Sequence, residues 1–205
     1  MSEETAKPID IMLDIETFST SANGLIVQVA MAQFDRNTAQ VKSSTTINID
    51  VEDSLKHGFI MEEETLDWWA TQPKEIFESL QVNPFPCEEA YNCIKQFIPF
   101  GAVIWSHATF DVPMLANFCI KVSGDKKLPW AYKNTRDIRT LVDLAGLDLD
   151  KYDWEKEKTH NALSDVLFQI KYVTDACNML KYHCTQDQAI QVREQVAKQL
   201  SEQQS

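Results

Sequence analysis

Two carboxylates close the first apolar run of the chain, and their spacing limits what that run can become. In Ile9-Asp10-Ile11-Met12-Leu13-Asp14-Ile15-Glu16 the apolar residues fall on odd positions and the polar ones mostly on even positions. That alternation is the pattern of a half-buried strand, whose side chains point to opposite faces in turn. Asp14 and Glu16 lie two positions apart and therefore share a face. Like charges side by side at a strand end repel unless a cation sits between them, so the pair points to a hard divalent metal with oxygen ligands.

Further along, Asp111 stands mid-chain and Asp165 near the end, with His160 five residues before it. For these groups to meet the first pair, the fold must bring a strand end, a central loop and a late helix together. The whole chain is compatible with that. Its 205 residues, 44% of them hydrophobic, suffice for one domain with a substantial core. The longest uncharged apolar stretch, residues 97–105, contains Pro99 and Gly101 and falls short of the ~20 residues of a membrane span, so no membrane association is expected. Residues 1–7 are polar and acidic rather than signal-like. Five cysteines, an odd count without a CxxC pair, fit a reducing cytoplasm.

A formal charge of −12 argues against a wide basic surface gripping duplex phosphate. It leaves room for a local anion site. If four acids hold two cations, their charge is cancelled on the spot and the metals attract phosphate, which favours short single-stranded ends. The basic residues nearest such a site in sequence are Lys133, Arg136, Arg139 and Lys158.

Along the chain, residues 9–16, 25–34 and 41–49 read as strands, with Asn23-Gly24 and Arg36-Asn37 as turns. Helices are expected over residues 62–70 and 74–80, split by Pro73, and over 87–97, with Glu88 and Glu89 in the first turn. Residues 102–106 suit a central strand, and helical patterns follow at 112–122, 135–145 and 161–180. In residues 186–204, Ala189, Val192, Val196 and Leu200 recur at helical spacing, as in a helix laid on the body or offered to a partner, a second copy of the chain included. The expected division is a tail at 1–8, one domain at 9–182 and a polar C-terminal helix or tail at 183–205. Three strands, helices, a central strand and further helices make an α/β fold, a mixed sheet flanked by helices of the ribonuclease H-like kind. In that layout the dispersed acids converge on one side of the sheet.

Three stretches carry a specific resemblance. Asp14-Ile15-Glu16-Thr17, Phe110-Asp111 followed by Pro113-Met114-Leu115, and His160-Asn161-Ala162-Leu163-Ser164-Asp165 resemble the signature motifs of the DEDD exonucleases. The histidine five residues before the last aspartate resembles the DEDDh branch. Thr65-Leu66-Asp67-Trp68-Trp69 and Arg136-Asp137-Ile138-Arg139-Thr140 are similar to stretches in the smaller group that holds bacteriophage exonuclease A and mycobacterial 3′-5′ exoribonuclease-like proteins. The similarity runs over about residues 9–172. His107 departs from the pattern, since many members carry asparagine four residues before the second-motif aspartate.

The resemblance implies metal-dependent 3′-5′ hydrolysis at single-stranded ends or overhangs of DNA or RNA, releasing nucleoside 5′-monophosphates. It implies two divalent cations, Mg²⁺ or Mn²⁺, ~3.5–4 Å apart. Asp14 would bridge them, Glu16 and Asp165 would hold the nucleophile-side ion, Asp111 the other, and His160 would be the base. Thr17 and Phe18 would lie beside the 3′ nucleotide, with His107, Trp69, Arg136, Asp137 and Arg139 as further substrate contacts. Neighbouring helix positions point about 100° apart, so one of Trp68 and Trp69 belongs to the core and the other can stack on a base. Asp137 could equally anchor a helix start. Two other readings are a hydrolase confined to very short oligonucleotides and a nucleic-acid-binding module without turnover; the intact acids count against the second.

Overall fold

The acid-bearing run becomes the middle strand of a five-stranded sheet in the computed structural model, which describes residues 9–153 and 161–202. The strands are β1 (Asp10–Thr17), β2 (Ile26–Phe34), β3 (Val41–Asn48), β4 (Val103–Ser106) and β5 (Thr135–Asp137), in the order β3-β2-β1-β4-β5. β1 to β3 form an antiparallel meander, whereas β4 joins β1 in parallel and β5 joins β4 in parallel. A parallel neighbour needs a crossover connection, and the helices supply it. These are α1 (Val51–Lys56), α2 (Glu63–Ala70), α3 (Lys74–Ser79), α4 (Cys87–Phe97), α5 (Asp111–Ser123), α6 (Ile138–Ala145), α7 (Ala162–Tyr182) and α8 (Gln186–Glu202). The result is the expected α/β arrangement, a mixed sheet between helical layers.

Each face of the sheet has its own core. Ile11, Leu13 and Ile15 of β1 pack with Val29 and Met31 under Trp69, Ile94, Leu115 and Phe118 from α2, α4 and α5. On the other face Met12, Ala30 and Ala32 meet Ile138 of α6 and Val166, Ile170 and Val173 of α7. β1 is therefore buried on both sides, which corrects the half-buried strand expected from its alternation. The even positions are polar for other reasons. Asp10 accepts from Arg36 Nε at 2.7 Å and from Trp105 Nε1 at 2.8 Å, so its charge is paired, while Asp14 and Glu16 face the α7 side and open onto a cleft.

Two local differences from the sequence reading have simple causes. Helix α1, six residues long, was not expected from the sequence; Asp50 caps it by accepting from Asp53 N–H. The expected helix over residues 135–145 instead begins as edge strand β5, because Ile104 and Ser106 of β4 offer ladder partners to Thr135 and Asp137. The helix starts only at Ile138, once the Asp137 carboxylate accepts from Thr140 N–H at 2.9 Å. Pro113, in the first turn of α5, lacks an N–H where none is required.

The C-terminal helix lies against the body. Ala189 is buried, and Arg193 Nε donates to the fully buried Asp175 carboxylate at 2.9 Å. Gln186 both accepts from Asp148 N–H and donates to Asp148 C=O, at 2.9 and 2.8 Å. Among the described residues, no helix is long and apolar enough to cross a membrane.

Candidate metal and nucleic-acid site

Parallel pairing of β1 and β4 sends both chains out of the sheet at the same edge, and this places the acids. Asp14 sits near the end of β1 at 8% exposure. Asp111 opens α5 directly after the short loop that leaves β4. Its Oδ2 accepts from His107 N–H at 2.8 Å, and His107 Nδ1 lies 4.0 Å from the same oxygen. Asp165 projects from the first turn of α7. That turn is fixed from two directions. Asn161 caps it by accepting from Ser164 N–H at 3.3 Å, and Gln28, paired opposite Glu16 in the sheet, accepts from Ala162 N–H at 3.0 Å.

Two groups of ligand atoms result. Asp14, His107 and Asp111 each offer an atom within 4.8 Å of the others, and so do Asp14, Glu16 and Asp165. Asp14 is common to both. The four acids, scattered over most of the chain, thus meet in one place, with His107 beside Asp111.

Such crowding has an electrostatic cost. Burial, and after it the Asp14 charge, pushes the Asp111 carboxyl well above the usual carboxylate range, against the His107 N–H and the Arg139 charge. Burial, then Asp14, likewise pushes the Tyr172 hydroxyl up, so it stays protonated beside the acids. A set of hard oxygen donors under mutual repulsion fits a divalent cation. In the metal-free protein a raised carboxyl pKa penalises the charged form. The penalty is absent below the unfolded pKa of ~3.9, grows as pH rises towards the raised folded value, and is complete above it. Asp111→Asn is therefore expected to raise the melting temperature of metal-free protein at pH 7, each kcal/mol of relieved penalty being worth roughly 2–4 °C for a chain of this size. Thermal melting in chelator checks it, and a lower melting temperature would contradict the electrostatic account.

A cleft of about 520 Å³ lies over these groups, lined by the polar Asp14, His107, Arg139, Asp165 and Tyr172 together with the apolar Ile138, Val142 and Phe168. A second cleft of about 350 Å³ reaches Glu16 from the α2 side, past Thr17, Thr65, Trp68 and Phe110. Several expected substrate contacts are corrected here. Trp69 is 1% exposed and its Nε1 donates to Thr17 C=O at 2.9 Å, so it is a core residue. The indole that reaches solvent is Trp68, 42% exposed. Phe18 is buried too, packed against Trp69 and Phe77. Thr17 remains at the cleft wall, although its hydroxyl is committed to Ser19 C=O at 2.8 Å. Asp137 is occupied structurally, capping α6 and accepting from Ala108 N–H at 3.1 Å, which ties the loop after β4 to β5. Arg136, on β5 and not on a helix with Arg139, turns its guanidinium to the carbonyls of Lys133 and Thr135. Arg139 alone of the two lines the acid cleft. His160 lies outside the described residues, immediately before the Asn161 cap.

One participant escaped the sequence reading. Gln169, one helical turn after Asp165 and on the same face of α7, donates through Nε2 to Asp14 Oδ1 at 2.8 Å. Its position four residues after the motif aspartate was the available signal.

The comparisons fit this geometry. Residues 9–177 match the model of the 3′-5′ exoribonuclease Rv2179c-like domain. The chain belongs to that family. No curated protein matches it in sequence. Among solved structures this exoribonuclease-family domain resembles exonuclease I from Methylocaldum szegediense, at 15% identity and a TM-score of 0.62 over 84% of this chain and 40% of that one. It also resembles E. coli exonuclease I bound to a dA16 oligonucleotide, at 14% identity and 0.63 over 85% and 41%. The zinc-bound E. coli enzyme with single-stranded DNA gives 13% and 0.60 over 82% and 40%. At these identities the likeness is one of fold, and the chain spans about two fifths of the length of those proteins. Family and fold together make it a domain of the 3′-5′ exoribonuclease Rv2179c-like family with the fold seen in exonuclease I.

Proposed function

We propose that this domain removes nucleotides one at a time from single-stranded 3′ ends of RNA in the cytoplasm, releasing nucleoside 5′-monophosphates with the help of two Mg²⁺ or Mn²⁺ ions. The observation that carries the reading is that Asp14 belongs to both ligand groups, with Asp111 and His107 on one side and Glu16 and Asp165 on the other. The family's description as exoribonucleases supports RNA as the substrate. Bound there, divalent ions would lower the pKa of the attacking water and offset charge on the leaving 3′ oxygen.

The protein's own groups then divide the work. Asp14, Glu16, Asp111 and Asp165 would hold the ions, and without cations their combined charge would repel phosphate. His160, next to the cap of α7, accepts the proton of the attacking water. Arg139, on the rim of the acid cleft, offers its guanidinium to the phosphate backbone. Tyr172, kept protonated, can donate a hydrogen bond but cannot serve as a base at neutral pH.

Trp68, exposed in the cleft on the other side of Glu16, gives the terminal bases a stacking surface. Stacking of one base on an aromatic side chain is worth ~1–3 kcal/mol. Trp68→Ala is accordingly expected to raise KM for a single strand by roughly 5- to 150-fold with little change in kcat. A kcat loss without a KM change would place Trp68 elsewhere in the cycle.

The reading as a whole is tested with 5′-labelled RNA and DNA strands of matched sequence, in Mg²⁺ and in chelator. Stepwise shortening of RNA that needs metal supports it. Faster shortening of DNA would move the substrate class, and no shortening of either would remove the exonuclease reading.

A further inference from the structure

We infer that Gln169 is a positioning residue for the metal site: it fixes the orientation of the Asp14 carboxylate so that Asp14 can serve both ligand groups at once. The inference rests on the metal reading given above. Gln169 is 4% exposed and projects from α7 under the acid cleft, where its Nε2 donates to Asp14 Oδ1 at 2.8 Å. A carboxylate only accepts, so this contact decides which end of the amide faces Asp14. The other end, Oε1, is buried with no hydrogen-bond partner among the described residues.

An orphaned buried acceptor costs stability. A methionine or leucine would fill the same space without that cost, so stability alone does not account for a glutamine here. What the amide does provide is one neutral donor inside a cluster of acids. A lysine would compete with cations for the site, and an acid would add to the repulsion that already raises Asp111. A neutral donor holds one oxygen lone pair of Asp14 and leaves the others to face Asp111 and His107 on one side and Glu16 and Asp165 on the other. Partners that orient a metal ligand typically change metal affinity by ~10–100-fold when removed.

The experiment is Mn²⁺ binding to the full chain by calorimetry or electron paramagnetic resonance, without substrate, for wild type, Gln169→Met, Gln169→Glu and Asp14→Asn. Gln169→Met is expected to weaken Mn²⁺ binding by about 10–100-fold, while its melting temperature in chelator stays close to wild type. A purely structural glutamine would do the reverse, lowering the melting temperature and leaving Mn²⁺ affinity intact, and that result overturns the inference. Gln169→Glu keeps the shape but replaces the donor with a charge; if the methionine variant does not fold, it carries the same expectation for Mn²⁺ binding, with a lower melting temperature in chelator from the added repulsion. Asp14→Asn separates the two levels. Wild-type Mn²⁺ affinity in Asp14→Asn would sink the metal reading itself, whereas loss in Asp14→Asn with none in either Gln169 variant sinks only the role of Gln169.

Discussion

Asp14→Asn is expected to lose at least about 10³-fold in kcat. Metal-derived charge stabilisation is worth several kcal/mol in phosphoryl chemistry, and each ~1.36 kcal/mol is tenfold in rate. Asp14 is the one side chain found in both ligand groups, so its neutralisation would affect both groups rather than one. The amide keeps the shape of the carboxylate and can still meet the Gln169 side chain. It also removes one of the two charges that force the Asp111 carboxyl upward. The metal-free variant should therefore melt no lower than wild type, which distinguishes lost chemistry from lost fold. Retention of a tenth or more of wild-type kcat at saturating Mg²⁺ would show that the reaction does not depend on this carboxylate.

His160→Ala is the second large effect, with kcat expected to fall by about 10²–10⁴-fold, the usual contribution of a well-placed general base. Its signature lies in pH. An unperturbed imidazole with a pKa near ~6.5 accepts a proton only in its neutral form, so wild-type kcat should decline as pH drops below about that value. A second cause acts in the same direction. With its carboxyl raised, Asp111 takes up a proton at higher pH than an ordinary carboxylate, and that proton competes with the cation. Saturating metal at every pH removes that contribution and leaves the imidazole's. The low-pH limb should persist in wild type under those conditions and vanish in His160→Ala. An unchanged limb in the variant would assign the base to another group.

Periodicity and motif order made much of this protein legible from sequence. The shared face of Asp14 and Glu16 follows from strand geometry alone, since side chains two apart point the same way. Convergence of Asp111 and Asp165 on that face follows from the layer arrangement implied by three strands, a central strand and a late helix. Wherever a residue's fate depended on which of two faces it turned, sequence was mute. Trp68 and Trp69 are chemically identical neighbours, and only the packing of α2 on the sheet sends Trp69 inward to Thr17 C=O and leaves Trp68 outside. Phe18 follows Glu16 by two positions, yet the chain leaves β1 at Thr17 and carries its ring into the core with Trp69 and Phe77.

The same division separates the acids from their supports. The sequence by itself pointed to a metal-type site, because four acids and a histidine stand in the order that the resemblance implies. It also determined the class of fold, because alternation and helical spacing are properties of the chain. Tertiary structure decided the rest: that β1 is covered on both faces, that Asp137 accepts from Ala108 N–H and so ties the loop after β4 to β5, that Arg139 and not Arg136 lines the acid cleft, and that Gln28 and Gln169 hold the helix start and the shared carboxylate. Each of these depends on contacts between residues far apart in sequence. A side chain's partner across such a distance is set by how the layers stack, which no local pattern encodes.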